Sequence, residues 1–110
     1  MGSGPERVMA YIDRYNDAVR SGSWDQYLDG LADSVQMEFV GEQTGPYDGR
    51  YAIGDAYKAN PSNDTISVID LSTEGSIDIV RFSWDRGGSG LMRITWTPDD
   101  RVEHVIMETT

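Results

Sequence analysis

The chain has 110 residues, of which 38% are hydrophobic and 10% aromatic, and this composition is typical of one folded domain with a single core. Its formal net charge of -10 argues against nucleic acid and anionic membrane surfaces as partners, because their phosphates would repel it. The chain has no cysteine, which excludes disulfides and thiolate metal sites. No run approaches the ~20 apolar residues of a membrane span. These properties favour a cytoplasmic protein.

The beginning of the chain carries none of the basic and apolar character of a signal peptide. We therefore expect residues 1–4 to be a frayed end or an expression remnant. Residues 5–110 are expected to form a single domain, since the sequence shows neither internal repeats nor low-complexity segments.

Two helical patterns come first. A helix is predicted over about residues 5–20, because apolar side chains recur there at helical spacing: Val8, Tyr11, Ile12, Tyr15 and Val19. Gly22 can take the left-handed conformation that ends a helix. Residues 23–26, Ser-Trp-Asp-Gln, resemble a capping box and predict a second helix that ends near residues 32–34. The connection is so short that the two helices must lie side by side.

Alternating apolar side chains then predict strands, interrupted by one short helix. The first strand covers residues 35–40, a turn-rich segment follows at 41–46, and a third helix covers about 50–58. Four later strands are predicted at 65–72, 76–84, 90–97 and 102–108. Short loops make these neighbours antiparallel. Helices followed by strands indicate an α+β fold, in which a curved sheet wraps over three helices and the stretch from Gly45 to Tyr57 closes the open end.

This order of elements resembles the nuclear transport factor two-like superfamily, which includes SnoaL-like polyketide cyclases and ketosteroid isomerases. The residues that carry the resemblance are Tyr15, Leu31-Ala32-Asp33, and Gly49-Arg50-Tyr51-Ala52-Ile53 with Tyr57. The resemblance implies a cone-shaped α+β barrel with a central pocket. It also implies a small hydrophobic molecule as the ligand, no cofactor, and a homodimer formed through the outer face of the sheet.

Ketosteroid isomerases use a carboxylate base on the first strand, together with a tyrosine and a protonated aspartate. When the resemblance is placed on Leu31-Ala32-Asp33, the position of the base falls on Phe39 and that of the protonated aspartate falls near Met92. A phenylalanine cannot take a proton. Standard steroid isomerisation is therefore not expected, unless a one-residue slip of the strand turns Glu38 inward.

Four side chains are candidates for acid–base chemistry: Tyr15, Tyr57, Glu38 and His104. Tyr15 and Tyr57 could share a hydrogen bond and present one hydroxyl to a carbonyl, or they could be amphipathic core residues. Glu38 could be a buried base, but the alternation with its apolar neighbours favours an exposed carboxylate. His104 could be catalytic, an interface residue or a surface residue, depending on which face of the sheet is concave. A single histidine makes a metal centre unexpected.

Apolar and aromatic side chains are predicted to line the pocket: Tyr11, Trp24, Tyr27, Phe39, Ile53, Phe82, Trp84, Met92, Ile94, Trp96 and Met107. The alternative is that they fill the core solidly. Four charged residues inside strands are expected to form ion pairs on the solvated face: Asp70, Asp78, Arg81 and Arg93. An inward Asp–Arg–Asp set, as in the epoxide-hydrolysing branch of the superfamily, is the less favoured alternative.

The predicted function is that of a SnoaL-like isomerase or cyclase that acts on a hydrophobic, oxygenated molecule with a polyketide-like or steroid-like ring system. Acid–base help and conformational positioning would accelerate the reaction. The alternative is a noncatalytic ligand-binding or dimerisation domain of the same fold. A solvent-connected pocket with desolvated polar groups favours the enzyme, and a filled or uniformly apolar interior favours the binder.

Overall fold

The computed structural model describes residues 4–41 and 45–109. Three helices and six strands follow one another along the chain: α1 (Gly4–Ser21), α2 (Asp25–Asp29), β1 (Leu31–Val40), β2 (Tyr47–Asp48), α3 (Arg50–Ala59), β3 (Ile66–Glu74), β4 (Ile77–Trp84), β5 (Ser89–Trp96) and β6 (Val102–Thr109). The predicted α+β class is thereby confirmed. Within these ranges no helix is long and apolar enough to cross a membrane.

All six strands form one sheet in the order β2-β1-β6-β5-β4-β3. The last four strands pair in antiparallel fashion with their neighbours in sequence, as predicted. Strand β1 pairs in parallel with β6, which makes the sheet mixed, and the two-residue β2 adds a short antiparallel edge. The sheet is therefore open, with β2 at one edge and β3 at the other.

The helices cover one face of this sheet, and the core lies between them. Fully buried side chains come from all three helices and from the inner faces of β1, β4, β5 and β6, for example Val8, Ile53, Val80, Met92 and Val105. Bulges interrupt the register of three strand pairs, and such irregularities bend a sheet. At Gly90 an added Cβ would lie 2.7 Å from the Phe82 ring and from the Glu108 carbonyl oxygen, so the strands approach closely only because this residue has no side chain.

The second helix is shorter than predicted, because residues 31–34 begin β1 instead of ending the helix. The carbonyl of Gly30 accepts a hydrogen bond of 2.9 Å from the Val102 N–H, and Leu31 pairs with Val102 in the parallel ladder. This long-range pairing overrides the local helical pattern. The predicted capping box is also wrong, since Trp24 is the N-cap residue and no side chain caps the helix.

Asp78 was expected on the solvated face, and that expectation is wrong. Its side chain is fully buried and accepts three hydrogen bonds: from Arg7 Nε at 3.1 Å, from Trp96 Nε1 at 2.8 Å and from the Thr73 hydroxyl at 2.8 Å. The physical reason is strand alternation, because Asp78 shares a face with the buried Val80. These partners satisfy the carboxylate, which makes its burial tolerable.

The other three charged strand residues lie on the outer face of the sheet, as expected: Asp70, Arg81 and Arg93. The ion pairs expected among them do not form, since no salt bridge joins any of the three to another residue in the described part of the chain. An inward Asp–Arg–Asp set made of these residues is likewise excluded by their placement.

Candidate functional site

Two connected chambers lie between α3 and the sheet, at the open end of the fold. The inner chamber has a volume of about 90 Å³ and is lined by Met37, Phe39, Tyr47, Ile53, Ala56, Tyr57 and Asn60. The outer chamber has a volume of about 400 Å³, opens to solvent and is lined by Tyr15, Phe39, Tyr57, Asn60, Pro61, Ser62, Asn63, Trp84, Met107 and Thr109. The chambers meet at the three residues that line both, and we call this junction the waist: Phe39, Tyr57 and Asn60.

Local geometry explains why these side chains converge. On α3, Ile53, Ala56, Tyr57 and Asn60 follow one another at spacings of three, one and three residues, which places them on one face of a helix. On β1, Met37 and Phe39 point to the inner face because alternate residues of a strand share a face. One helix face and one strand face thus enclose the inner chamber.

Aromatic rings form the wall between the pocket and the core. The ring of Tyr57 stacks on that of Trp24, with centroids 4.2 Å apart and an interplanar angle of 4°. The ring of Tyr15 meets that of Tyr57 edge-on at 6.5 Å. Deeper in the core, the hydroxyls of Tyr11 and Tyr27 are hydrogen-bonded at 3.0 Å. These contacts fix the Tyr57 ring at the waist.

The hydroxyl of Tyr15 is engaged by the loop that follows α3. It donates to the carbonyl oxygen of Asp64 at 3.2 Å and is also hydrogen-bonded to the hydroxyl of Ser62. Because a phenol has one proton, the Ser62 hydroxyl must be the donor in the second bond. The hydrogen bond that Tyr15 and Tyr57 could have shared does not form. The Tyr57 hydroxyl interacts instead with the hydroxyl of Tyr27.

Burial makes the tyrosines of this region weak acids. It raises the pKa of Tyr11 to about 12, although the hydrogen bond from Tyr27 opposes the shift. Burial, and secondarily the nearby Tyr11 hydroxyl, raises the pKa of Tyr27 and that of Tyr57 well above 10. Burial also raises the pKa of Tyr15. At neutral pH all four hydroxyls are therefore uncharged and able to donate.

The polar groups of the pocket are neutral. Hydroxyls, amides and the indole N–H of Trp84 are the polar side-chain groups among the described residues that line the chambers, and no carboxylate, histidine, lysine or arginine is among them. Within the same ranges, no group of three or more histidine and acidic side chains could hold a metal ion. The arrangement can bind an apolar molecule and donate hydrogen bonds to an oxygen atom, but these residues supply no strong base.

The structure brings six of the predicted site residues to the pocket: Tyr15, Phe39, Ile53, Tyr57, Trp84 and Met107. Seven others pack in the core and line neither chamber: Tyr11, Trp24, Tyr27, Phe82, Met92, Ile94 and Trp96. For these seven the alternative reading, a solidly filled core, is the one that the structure supports. They lie deeper, where the first two helices rest directly on the sheet.

Glu38 and His104 do not line the pocket. Both side chains lie on the outer face of the sheet, with Glu38 48% and His104 31% exposed, and they are hydrogen-bonded to each other. The slip that would turn Glu38 inward is absent, because Met37 and Phe39 occupy the inner face. Neither residue can touch a molecule held in the chambers, so neither enters the chemistry proposed below.

Sequence reasoning missed eight lining residues: Met37, Tyr47, Ala56, Asn60, Pro61, Ser62, Asn63 and Thr109. A signal was present for some of them. Met37 has the same strand parity as Phe39, and Ala56 continues the helix face that begins at Ile53. For the loop residues 61–63 the sequence carries no such periodicity, and only the fold brings them to the mouth.

No protein-family model matches the sequence, and no curated protein sequence matches it. Solved structures do. The epoxide hydrolase/cyclase-like enzyme SalBIII, described for its role in pyran ring formation in polyether salinomycin, matches with a TM-score of 0.78 and 18% identity over 97% of this chain and 90% of its own. A SnoaL-like protein of unknown function from Burkholderia thailandensis matches with a TM-score of 0.72 and 18% identity over 96% and 95% of the two chains.

An NTF2-like protein from Anabaena variabilis matches with a TM-score of 0.76 and 13% identity over 100% of this chain and 94% of that one. The chain has the SnoaL-like, NTF2-like fold. The predicted resemblance to the nuclear transport factor two-like proteins is thus confirmed at the level of structure, and the architecture is the cone-shaped one that it implied. Because one fold supports many activities, identities this low establish the fold and leave the function to the site.

Proposed function

We propose that this protein binds a small hydrophobic molecule that carries a carbonyl or hydroxyl oxygen, and that it acts on this molecule as an isomerase or cyclase by holding it in a reactive conformation. The observation that carries the proposal is a solvent-connected pocket in which an apolar inner chamber and a wider outer chamber meet at the Tyr57 phenol. A preformed apolar pocket with few convergent polar groups is the usual form of a small-molecule site.

The lining favours a reaction that needs positioning more than proton abstraction. Apolar walls provide the affinity, since burial of apolar surface contributes about 25 cal/mol per Å². The Tyr57 hydroxyl supplies a hydrogen bond to a developing negative charge on oxygen, in a site where little water competes. Holding the two ends of one molecule in contact lowers the barrier to ring closure. The match to an enzyme whose described role is in pyran ring formation is in line with this chemistry.

Noncatalytic binding of the same molecule is the second candidate. The neutral lining of both chambers favours it, because the described lining residues include no group suited to act as a general base. Mass spectrometry of small molecules extracted from the natively purified protein separates the two candidates. A molecule that the protein converts, and that a Tyr57→Phe variant converts more slowly, supports the enzyme; a molecule recovered unchanged supports the binder.

Binding itself can be tested before any substrate is identified. The probe is a straight-chain methyl ketone, and the readout is the tryptophan fluorescence of the protein, which includes that of Trp84 in the outer chamber. We expect Tyr57→Phe to weaken ketone binding by about threefold to tenfold, the value of one hydrogen bond. The matched control on the same helix is Tyr51→Phe, because the Tyr51 side chain is 78% exposed and lies outside both chambers. A wild-type protein that binds no methyl ketone would contradict the proposal.

Self-association through the outer face of the sheet is proposed alongside ligand binding. This face exposes large apolar side chains, among them Ile69 at 57%, Val40 at 46% and Ile77 at 36%. A shallow concavity on the same face is lined by both Arg81 and Glu108. The occupant that fits this surface is a second copy of the chain, because a two-fold axis would bring the cation of one copy to the anion of the other.

Sedimentation equilibrium tests the proposed dimer. We expect a mass of two chains for the wild type and of one chain for Ile69→Lys, which replaces the most exposed of these apolar side chains with a charge. Tyr51→Lys is the control, since it introduces the same charge on the opposite, helical side of the molecule. A wild-type protein that remains a single chain at high concentration would show the proposed dimer to be wrong.

A further inference from the structure

The end of α3 places an asparagine at the junction of the two chambers. The helix ends at Ala59, and the Asn60 N–H still donates to the Ala56 carbonyl at 2.9 Å. Asn60 itself has φ -145° and ψ 77°, so the backbone has left the helical conformation. Pro61 follows and disfavours any continuation of the helix. Asn60 is thereby held at the waist, where it lines both chambers.

The side-chain amide of Asn60 is not used by the fold. In the described ranges no residue forms a hydrogen bond or ion pair with it. An asparagine amide offers two N–H donors and one carbonyl acceptor, so it can meet either a carbonyl or a hydroxyl group. The hydroxyl of Tyr15, by contrast, is occupied by the loop. Asn60 is exposed and lines both chambers, so its amide is free to meet a ligand there.

The size of the inner chamber limits what can pass the waist. An engineered protein cavity that binds benzene has a volume of about 150 Å³. The inner chamber measures about 90 Å³ and therefore accepts a short alkyl group but not a six-membered aromatic ring. A fused ring system can occupy only the outer chamber, whose volume is about 400 Å³.

We infer that Asn60 is a specificity-determining residue, which recognises a carbonyl or hydroxyl oxygen located where a narrow alkyl end of the ligand enters the inner chamber. The ligand class is an oxygenated chain or a ring that ends in a short alkyl group, with the oxygen next to that group. This inference rests on the proposed function and deepens it, because it specifies which end of the ligand occupies the inner chamber and which oxygen atom Asn60 recognises.

Two ligand series test the inference in the wild-type protein. The first consists of methyl ketones with straight alkyl chains of increasing length. The second probe is dicyclohexyl ketone, which carries a six-membered ring on each side of its carbonyl and so has no narrow alkyl end to enter the inner chamber. We expect affinity to rise about fourfold for each added methylene until the inner chamber is filled, and then to level off. Dicyclohexyl ketone is expected to bind at least tenfold more weakly than the best straight-chain ketone. Equal affinity for the two would overturn the size limit.

Variants at the waist test the role of the amide. We expect Asn60→Leu, which keeps the size but removes the amide, to weaken binding of the best ketone by about threefold to tenfold. Asn60→Asp keeps the shape and removes the donors, and we expect a loss of the same size or larger. The matched control is Asn63→Leu, because Asn63 belongs to the same loop but lines the outer chamber alone.

The outcomes separate this inference from the proposed function. If both Asn60 variants bind the ketone as tightly as the wild type does, the role of Asn60 is overturned and the proposal of a ligand-binding pocket still holds. No ketone binding by the wild type would overturn both. Weakened binding in the two Asn60 variants, with Asn63→Leu unchanged, supports the inference.

Discussion

Filling the inner chamber from its helical wall should stabilise the protein and block its pocket at the same time. Ala56 is half-buried on α3 and lines the inner chamber, so Ala56→Leu directs three additional carbon atoms into that space. Each buried methylene-sized group contributes about 0.8 kcal/mol, or roughly 2.4 kcal/mol for three. The leucine side chain loses about 0.5–1 kcal/mol of rotamer entropy. The net expectation is a gain of about 1.5 kcal/mol in the free energy of unfolding.

Two assays read this substitution. Urea unfolding should show the gain in stability, which corresponds to a rise of roughly 6–10 °C in Tm for a domain of this size. Methyl ketone binding should fall by tenfold or more, because the leucine occupies the space of the alkyl end. Ala59→Leu, at the exposed end of the same helix, is the control and should change stability by less than about 0.5 kcal/mol.

A loss of stability in Ala56→Leu would contradict this prediction. If the space beside Ala56 were already filled, leucine would force neighbouring side chains out of their rotamers and lower the free energy of unfolding by about 1–3 kcal/mol. A loss of that size, with ketone binding retained, would mean that the inner chamber is not the ligand's site.

Two further predictions concern the rest of the interior. Asp78→Asn should lower the free energy of unfolding by about 2 kcal/mol, because the hydrogen bonds from Arg7 and Trp96 to the same oxygen each lose about 1 kcal/mol when the acceptor is no longer charged. Urea unfolding measures this loss, with the exposed Asp70→Asn as the control variant. Equal urea midpoints for the two variants would contradict the prediction. The raised pKa of Tyr11, about 12 when folded, means that the unfolded state binds fewer protons between about pH 10 and pH 12. The contribution of Tyr11 to the free energy of unfolding should therefore be fully present below about pH 10 and fall by about 1.4 kcal/mol per pH unit above it. The fall should be less steep in Tyr11→Phe. A urea midpoint that is constant across this pH range would contradict the raised pKa of Tyr11.

Local patterns predicted most of the fold because its elements are amphipathic with clear periods. The helical spacing through Tyr11 and Tyr15 placed α1, and alternation through Met92 and Ile94 placed β5. The errors lie where distant parts of the chain decide the conformation. Residues 31–34 follow a helical pattern, but parallel pairing with β6 draws them into a strand, and no local signal announces that partner.

The pocket was harder to predict than the fold. An inward side chain lines a cavity or fills the core according to the distance between the helices and the sheet at that point. The sequence of a single strand or helix does not determine this distance. Phe82 and Trp84 share a strand face, yet Phe82 is fully buried and Trp84 lines the outer chamber. The burial of Asp78 was predictable from the sequence, because Asp78 and Val80 are two residues apart on β4 and therefore share a face of the sheet. Asn60 was not, since its role arises from the position at which α3 ends.

Titration with a straight-chain methyl ketone, followed through the backbone amide chemical shifts, shows whether the two chambers hold the ligand. We expect the largest chemical-shift changes in residues around both chambers, with the waist residues Phe39, Tyr57 and Asn60 at their centre. Changes confined to the outer face of the sheet around Ile69 and Leu91, or no saturable change at all, would contradict it.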